Sequence, residues 1–238
     1  MLRHSGARRT HEQNVRLAAL LCLTAGFVNV SGLQAFRVLT TNVTGHAALF
    51  AEQLAEGNLR ASRMVGLWML LFLAGAFCSS FYIGRKSKHS NYRYIVPMLA
   101  EVSILIIVGT LGFTYNHTVP QTELYAGSLL FAMGMQNAMV SVISGSAVRT
   151  THLTGMFTDL GIDLSAIARK EQNGKRVLRQ RIILKVVIIS CFLFGGIAGG
   201  YLFKFMRYRT FYIPAGILLV AMFYDVFRIK ISRMYRGH

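Results

Sequence analysis

Apolar runs separated by short basic segments recur along the whole chain, and their lengths predict helices that cross a membrane. Leu17 to Phe36, Met64 to Ile83 and Leu124 to Val148 contain no Asp, Glu, Lys or Arg, and each reaches the roughly 20 residues a helix needs to span a hydrocarbon core. Three further runs qualify with one charge each: Ile95 to Tyr115 holds Glu101, Ile182 to Phe203 holds Lys185, and Phe211 to Phe227 holds Asp225. Lys185 is expected to snorkel from its end of the run, and Asp225 to sit at headgroup depth beside Arg228.

Between these runs lie two shorter segments that cannot be ordinary crossings. Thr44 to Gly57 carries Glu52 and Glu56, and Thr154 to Ala168 carries Asp159 and Asp163; both are too short and too acidic to span lipid. A half-helix or interfacial helix is the expectation for each.

The two short segments open on related sequences. TTNVTGHAALF at 40–50 and TTHLTGMFTDL at 150–160 share their Thr and Gly positions, and the surroundings match in the same order. GFVN at 26–29 faces GMQN at 134–137, AGAFCSSFYI at 74–83 faces GGIAGGYLFK at 195–204, and Tyr94-Ile-Val-Pro97 faces Phe211-Tyr-Ile-Pro214. This order predicts a duplicated unit of three spans with a short broken or re-entrant helix after the first. An odd number of crossings inverts one unit relative to the other. The predicted fold is therefore an all-α polytopic membrane protein of six transmembrane helices in two inverted three-helix repeats. Residues 1–14 form a cytoplasmic basic tail, 15–115 repeat 1, 122–228 repeat 2, and 229–238 a second basic tail.

Composition agrees: 53% of residues are hydrophobic and 15% charged, with a formal net charge of +17. Such a charge raises nucleic acid as a partner, yet the basic residues fall in loops and tails rather than on one soluble face, and no nucleic-acid module is present. With the N-terminus in the cytoplasm and the short helices not crossing, 20 of the 26 Lys and Arg face inward, which is the positive-inside bias. If the short helices crossed, the division would weaken to 17 against 9. The expectation is the cytoplasmic (inner) membrane with both termini cytoplasmic, its basic inner surface suited to anionic lipids. The first apolar run lacks a convincing small-x-small cleavage site and is read as a retained span. Cys22, Cys78 and Cys191 lie in predicted spans without metal-ligand spacing and read as packing residues.

A half-helix beginning at Thr44 or Thr154 would aim free amides and the positive end of its dipole at whatever occupies the break. If inversion brings both breaks together, Thr40, Thr41, Thr44 and Gly45 would meet Thr150, Thr151, Thr154 and Gly155, with Asn29 and Asn137 at matching places in the preceding spans. The competing reading is that TTxxTG caps a surface helix at the headgroups and that the two Asn join helices. His152, Asp159 and Asp163 fall on one helical face, a pattern for proton or ion coupling or for an amphipathic helix with its acids in water. Glu101 is a further coupling candidate, or the acid of a structural hydrogen bond.

These elements suit a small-solute secondary transporter of unassigned substrate. The alternatives are a channel and a non-transporting scaffold or lipid-binding protein. No HExxH, GxSxG, P-loop or paired-Cys pattern appears, so neither an enzymatic reaction, a metal nor a cofactor is expected. Small-residue faces on the second span of each unit permit a homodimer.

GFVN followed by TTNVTGHAALF, and GMQNA followed by VRTTHLTGMFTDL, resemble the YoaK-like integral membrane proteins, a bacterial family without an assigned function. The likeness extends over nearly the whole chain. It departs at Asn29, where the family commonly has Asp, and at His46, where Asn is common. The resemblance implies a multi-span inner-membrane protein and supplies no substrate.

Overall fold

A computed structural model describes residues 10–86, 94–169 and 174–234, with side chains described through 224. Most of the N-terminal basic tail, the basic loop at 87–93 and residues 235–238 lie outside that description, as do the side chains of Asp225 and Arg228. Among the described residues all regular structure is helical: α1 His11–Phe36, α2 Val43–Ala55, α3 Leu59–Arg85, α4 Ile95–Leu111, α5 Val119–Ser144, α6 Leu153–Ala168, α7 Lys175–Met206 and α8 Tyr212–Met234. Five stretches are long and apolar enough to cross a membrane: His11–Phe36, Leu59–Arg85, Ile95–Thr114, Val119–Ser144 and Lys175–Tyr224. The last contains α7 and the first part of α8, separated by the 3₁₀ turn Arg207–Phe211, where Arg207 takes a positive φ of 48°.

Local chemistry sets the boundaries, and several differ from the apolar runs. A capping box between Thr10 and Gln13 starts α1 well before its uncharged stretch, and Arg37 in the left-handed region ends it. Asn58 caps α3 through the Ala61 amide. The third run is displaced: α5 begins at Val119, with Pro in its first turn, and stops at Gly145, whose φ is 63°. Pro is pre-organised for a helix start and Gly for its stop, so the helix begins and ends earlier than the uncharged stretch Leu124 to Val148. The 32 residues of α7 extend about 48 Å, so its basic first turns reach past a core of about 30 Å. Likewise α8 continues through Met234, beyond the tail boundary expected at 229.

The close contacts lie between α1 and α7 and between α3 and α5, and glycine makes both possible. A Cβ built on Gly26 would stand 1.9 Å from the Phe192 carbonyl oxygen, and one on Gly195 2.0 Å from that of Leu23. In the other pair, Gly75 meets the Phe131 carbonyl at 2.0 Å and Gly134 that of Phe72 at 2.1 Å. Backbone meets backbone at all four, as small residues permit in lipid. Gly75 and Gly195, on the small-residue faces that would permit a second copy, are thus used within the chain.

Residue pairings also fix direction. Along α1 and α7, Leu23 meets Gly195 and Phe27 meets Gly199, so these helices run parallel. Gly127 with Leu71 and Gly134 with Phe72 make α3 and α5 parallel as well. Between α1 and α5 the order reverses: the Gln136 amide donates to the Leu21 carbonyl (2.8 Å), Gly32 lies against Leu129, and Phe36 stacks on Tyr125. Helices α1 and α5 are antiparallel. Phe36 also contacts Tyr115, Tyr208 and Phe211, bringing the C-terminal ends of α1, α4 and α7 to the side where α5 and α8 begin. The outward surfaces of α3 and α7, with Leu70, Leu73, Phe77, Phe194, Ile197 and Phe205 exposed, are apolar and suited to acyl chains.

Candidate functional site

The segments joining α1 to α2 and α5 to α6 carry the Thr-Gly clusters, and a side chain at each helix start explains the glycine. Asn42 is the N-cap of α2, its Oδ1 accepting from the Gly45 amide at 3.0 Å. His152 holds the corresponding place before α6 without making a side-chain cap bond. A Cβ on Gly45 would stand 2.4 Å from Asn42 Nδ2, and one on Gly155 2.1 Å from His152 Nε2. The Gly in each cluster therefore serves close approach of the residue three positions earlier, and neither Gly has a positive φ. The helices start one residue before Thr44 and Thr154, so those Thr lie in the first turn instead of capping it.

The second Thr of the first cluster is anchored to the preceding helix. Asn29 accepts from the Thr41 amide at 3.1 Å, and Asn137 Oδ1 accepts from the Thr150 hydroxyl at 3.5 Å. Each Asn thus ties the break to the span before it. Thr40 and Thr150 are fully buried, Thr41 is 6% and Asn29 8% exposed. The Asn29 Nδ2 donors and the Thr41 hydroxyl bond to no described residue, whereas Thr40 Oγ1 is buried without a partner away from solvent.

Both breaks line one cavity of about 720 Å³. Its wall holds Asn29 and Asn137, Thr41 and Thr151, Asn42 and His152, Val43 and Leu153, Thr44 and Thr154, Leu39 and Arg149, and Phe72 and Phe192, with Ser141 completing it. Apart from Ser141 and the two Asn and two Phe, every pair is separated by the 110 residues that separate the Thr-Gly clusters. Arg149 is its one formally charged lining residue at neutral pH, and no Asp or Glu lines it.

Not all candidates meet there. Thr40 and Thr150 stand behind the wall and Gly45 and Gly155 beneath the caps, while Asp159, Asp163 and Glu101 do not line the cavity. Asp159 is exposed on α6. Asp163, 2% exposed, faces α7, where Lys185 Nζ lies 2.5 Å and Arg181 2.8 Å from its carboxylate; Lys185 also donates to the Asp159 carbonyl at 3.1 Å. The face shared by His152, Asp159 and Asp163 winds from the cavity onto α7. Lys185 is accordingly buried in an ion pair and does not snorkel, because the buried Asp163 carboxylate lies opposite it. Glu101 is 1% exposed, and neither of its oxygens has a hydrogen-bond partner among the described residues.

His46 is buried beside Trp68, with ring centroids 5.5 Å apart, and its Nε2 donates to the Leu39 carbonyl at 2.7 Å. Burial pushes its pKa below the ordinary value, opposed by that hydrogen bond. It fastens α2 to α3 and stands outside the cavity.

Leu39 and Arg149, Val43 and Leu153, Phe72 and Phe192, together with Asn42 and Ser141, are the lining residues that motif reading missed. Extending the cluster alignment one residue upstream finds the first pair. Phe72 and Phe192 follow the 120-residue separation of Gly75 and Gly195, one residue off the sequence alignment of AGAFCSSFYI with GGIAGGYLFK.

A family model described as "Protein of unknown function (DUF1275)" matches residues 17–224. The chain is similar to the UPF0700 transmembrane protein YoaK of Bacillus subtilis (strain 168), 27% identical over 176 residues that cover 73% of this chain and 77% of YoaK. No solved structure matches it.

Proposed function

The chain is a membrane protein of the DUF1275 family, whose function is unknown, and from that premise we propose that it is a small-solute secondary transporter of the cytoplasmic membrane. The observation that carries this reading is the single cavity walled by matching residues of both helix breaks. Irregular backbone at membrane depth is tolerated where it lines such a cavity, and discontinuous helices meeting at a repeat interface are the usual site of secondary transporters.

The proposed topology has six crossings, α1, α3, α4, α5, α7 and α8, in two inverted units, with α2 and α6 as half-helices. The antiparallel course of α1 and α5, the first helices of the two units, supports inversion. So does the exchange of glycine contacts, in which α1 packs on α7 and α5 on α3 through equivalent positions. Arg16, Arg85, Lys86, Arg149, Arg169, Lys175, Arg176, Arg179 and Arg181 then lie on the side where α1 begins, against Arg37, Arg60, Arg63, Lys204, Arg207 and Arg209 on the other, a bias that supports cytoplasmic termini. Transport follows by rocking one unit against the other around the fixed cavity.

The test is two-sided accessibility. A variant lacking Cys22, Cys78 and Cys191 and carrying Thr44→Cys is labelled with a membrane-impermeant maleimide in right-side-out and in inverted vesicles. Reaction from both sides in separate preparations is the expected result. A thiol unreactive from either side removes the solute pathway, and currents far above carrier turnover in a planar bilayer would replace the carrier by a channel.

A further inference from the structure

We propose that the cavity takes an organic anion, a carboxylate head carried on a short apolar body; this rests on reading the cavity as a solute site. Two helices of 13 and 16 residues, α2 and α6, begin on its wall, and each directs unpaired amides and a partial positive charge toward it. Helix starts alone would not identify a ligand, because Asn42 satisfies part of the first of them.

The independent observation is Asn29. Its side chain is more than nine-tenths buried yet lines the cavity. The Thr41 amide occupies Oδ1, which leaves Nδ2 as the group without a partner. Because Oδ1 must accept from that N–H, the orientation of the amide is fixed and the free end is a pair of donors. Unlike Thr40 Oγ1, Nδ2 is not sealed from solvent, so its donors open on the cavity, where a ligand acceptor can take the place of water. Thr41, equally buried, adds a hydroxyl that bonds to no described residue.

Charge decides the sign of the ligand. Arg149 lines the cavity at the position where the first half has Leu39, and no lining residue is acidic. This asymmetry gives an otherwise matched wall a single guanidinium, the group best shaped to hold a carboxylate by two parallel bonds. An ammonium would find no counter-charge. Phe72, Phe192, Leu39, Val43 and Leu153 give an otherwise polar wall its apolar part, which suits a short hydrocarbon body and which a fully hydrated inorganic oxyanion would not use.

The experiment uses the full chain in nanodiscs, without its three native thiols and with a reporter Val43→Cys on the wall. The rate of maleimide labelling is measured against increasing butyrate, butyramide, butylammonium and inorganic phosphate. The expected result is saturable protection by butyrate and none by the other three. Arg149→Leu, which installs the residue of the matching position, and Asn29→Asp, which keeps the acceptor for Thr41 while removing the free donors, should each raise the protecting butyrate concentration at least tenfold with unchanged thermal unfolding. Equal protection by butyramide, or protection only by phosphate or butylammonium, overturns the carboxylate assignment and leaves the cavity as a solute site. A reactive thiol that none of the four protects also overturns it. A thiol that never reacts overturns the solute site itself.

Discussion

Replacing Gly26 by Ala adds one methyl group where α1 touches α7, and the structure fixes both the sign and the scale of the effect. The added carbon would lie 1.9 Å from the Phe192 carbonyl oxygen, with the Phe192 carbonyl carbon at 2.8 Å and Cα at 3.0 Å, whereas ordinary contact begins at 3.4 Å. The obstacle is backbone, so no rotamer change relieves it, and the helices must part by roughly 1.5 Å along their contact. Overpacking of this kind costs about 1–3 kcal/mol, and the backbone obstacle places it near the upper end. Ala gains about 1 kcal/mol over Gly in helix propensity, leaving a net destabilisation of about 2 kcal/mol. Gly161 supplies the control: nothing lies within 4 Å of its added carbon, so Gly161→Ala should be neutral or stabilising by up to about 1 kcal/mol. The assay is reversible unfolding in mixed micelles with increasing dodecyl sulfate, following helical circular dichroism. Gly134→Ala, 2.1 Å from the Phe72 carbonyl oxygen, should match Gly26→Ala. Equal stabilities for Gly26→Ala and Gly161→Ala would refute the packing argument.

Three other outcomes are expected. Asp163→Asn leaves Lys185 buried without its counter-charge, so it should destabilise by about 3–5 kcal/mol; Lys185→Met costs less because Arg181 still holds the carboxylate, and thermal unfolding of both variants measures the order. His46 has a lowered pKa, so its neutral form favours the fold: that contribution is complete above the ordinary pKa of about 6.5 and is lost as pH falls through the folded value. Fluorescence of Trp68, which packs against His46 and is the chain's one tryptophan, should report unfolding at lower denaturant as pH drops, and His46→Gln should flatten the dependence. Asn137→Leu removes the acceptor of the Thr150 hydroxyl, and faster amide exchange across 145–152, with the rest of the chain unchanged, is the check.

Much of this arrangement is legible before any coordinates. Uncharged runs disclose the crossing helices because lipid excludes charge, and the doubled Thr-Gly cluster points to the two breaks now found in one cavity. What escapes the sequence is long-range geometry. Helical spacing aligns His152 with Asp159 and Asp163, but only the packing of α6 on α7 sends the carboxylate of Asp163 to Lys185. The Phe72 and Phe192 walls depend on how α3 and α7 slide against α5 and α1, a register fixed by glycine contacts that a one-residue alignment shift hides. Arg149 stands directly beside the motif, yet its meaning emerges only when Leu39 is seen in the same wall.

The central claim, that the two helix breaks converge, is tested most directly by joining them. In the background without Cys22, Cys78 and Cys191, Thr44→Cys and Thr154→Cys are introduced together and treated in membranes with a bifunctional maleimide short enough to span the cavity but not the bilayer; a protease site engineered between the halves reports the link. The account predicts that the halves stay joined after cleavage, and that pairing Thr44→Cys with Leu70→Cys on the outer surface leaves them separable. Halves that separate as freely in the first pair as in the second would contradict it.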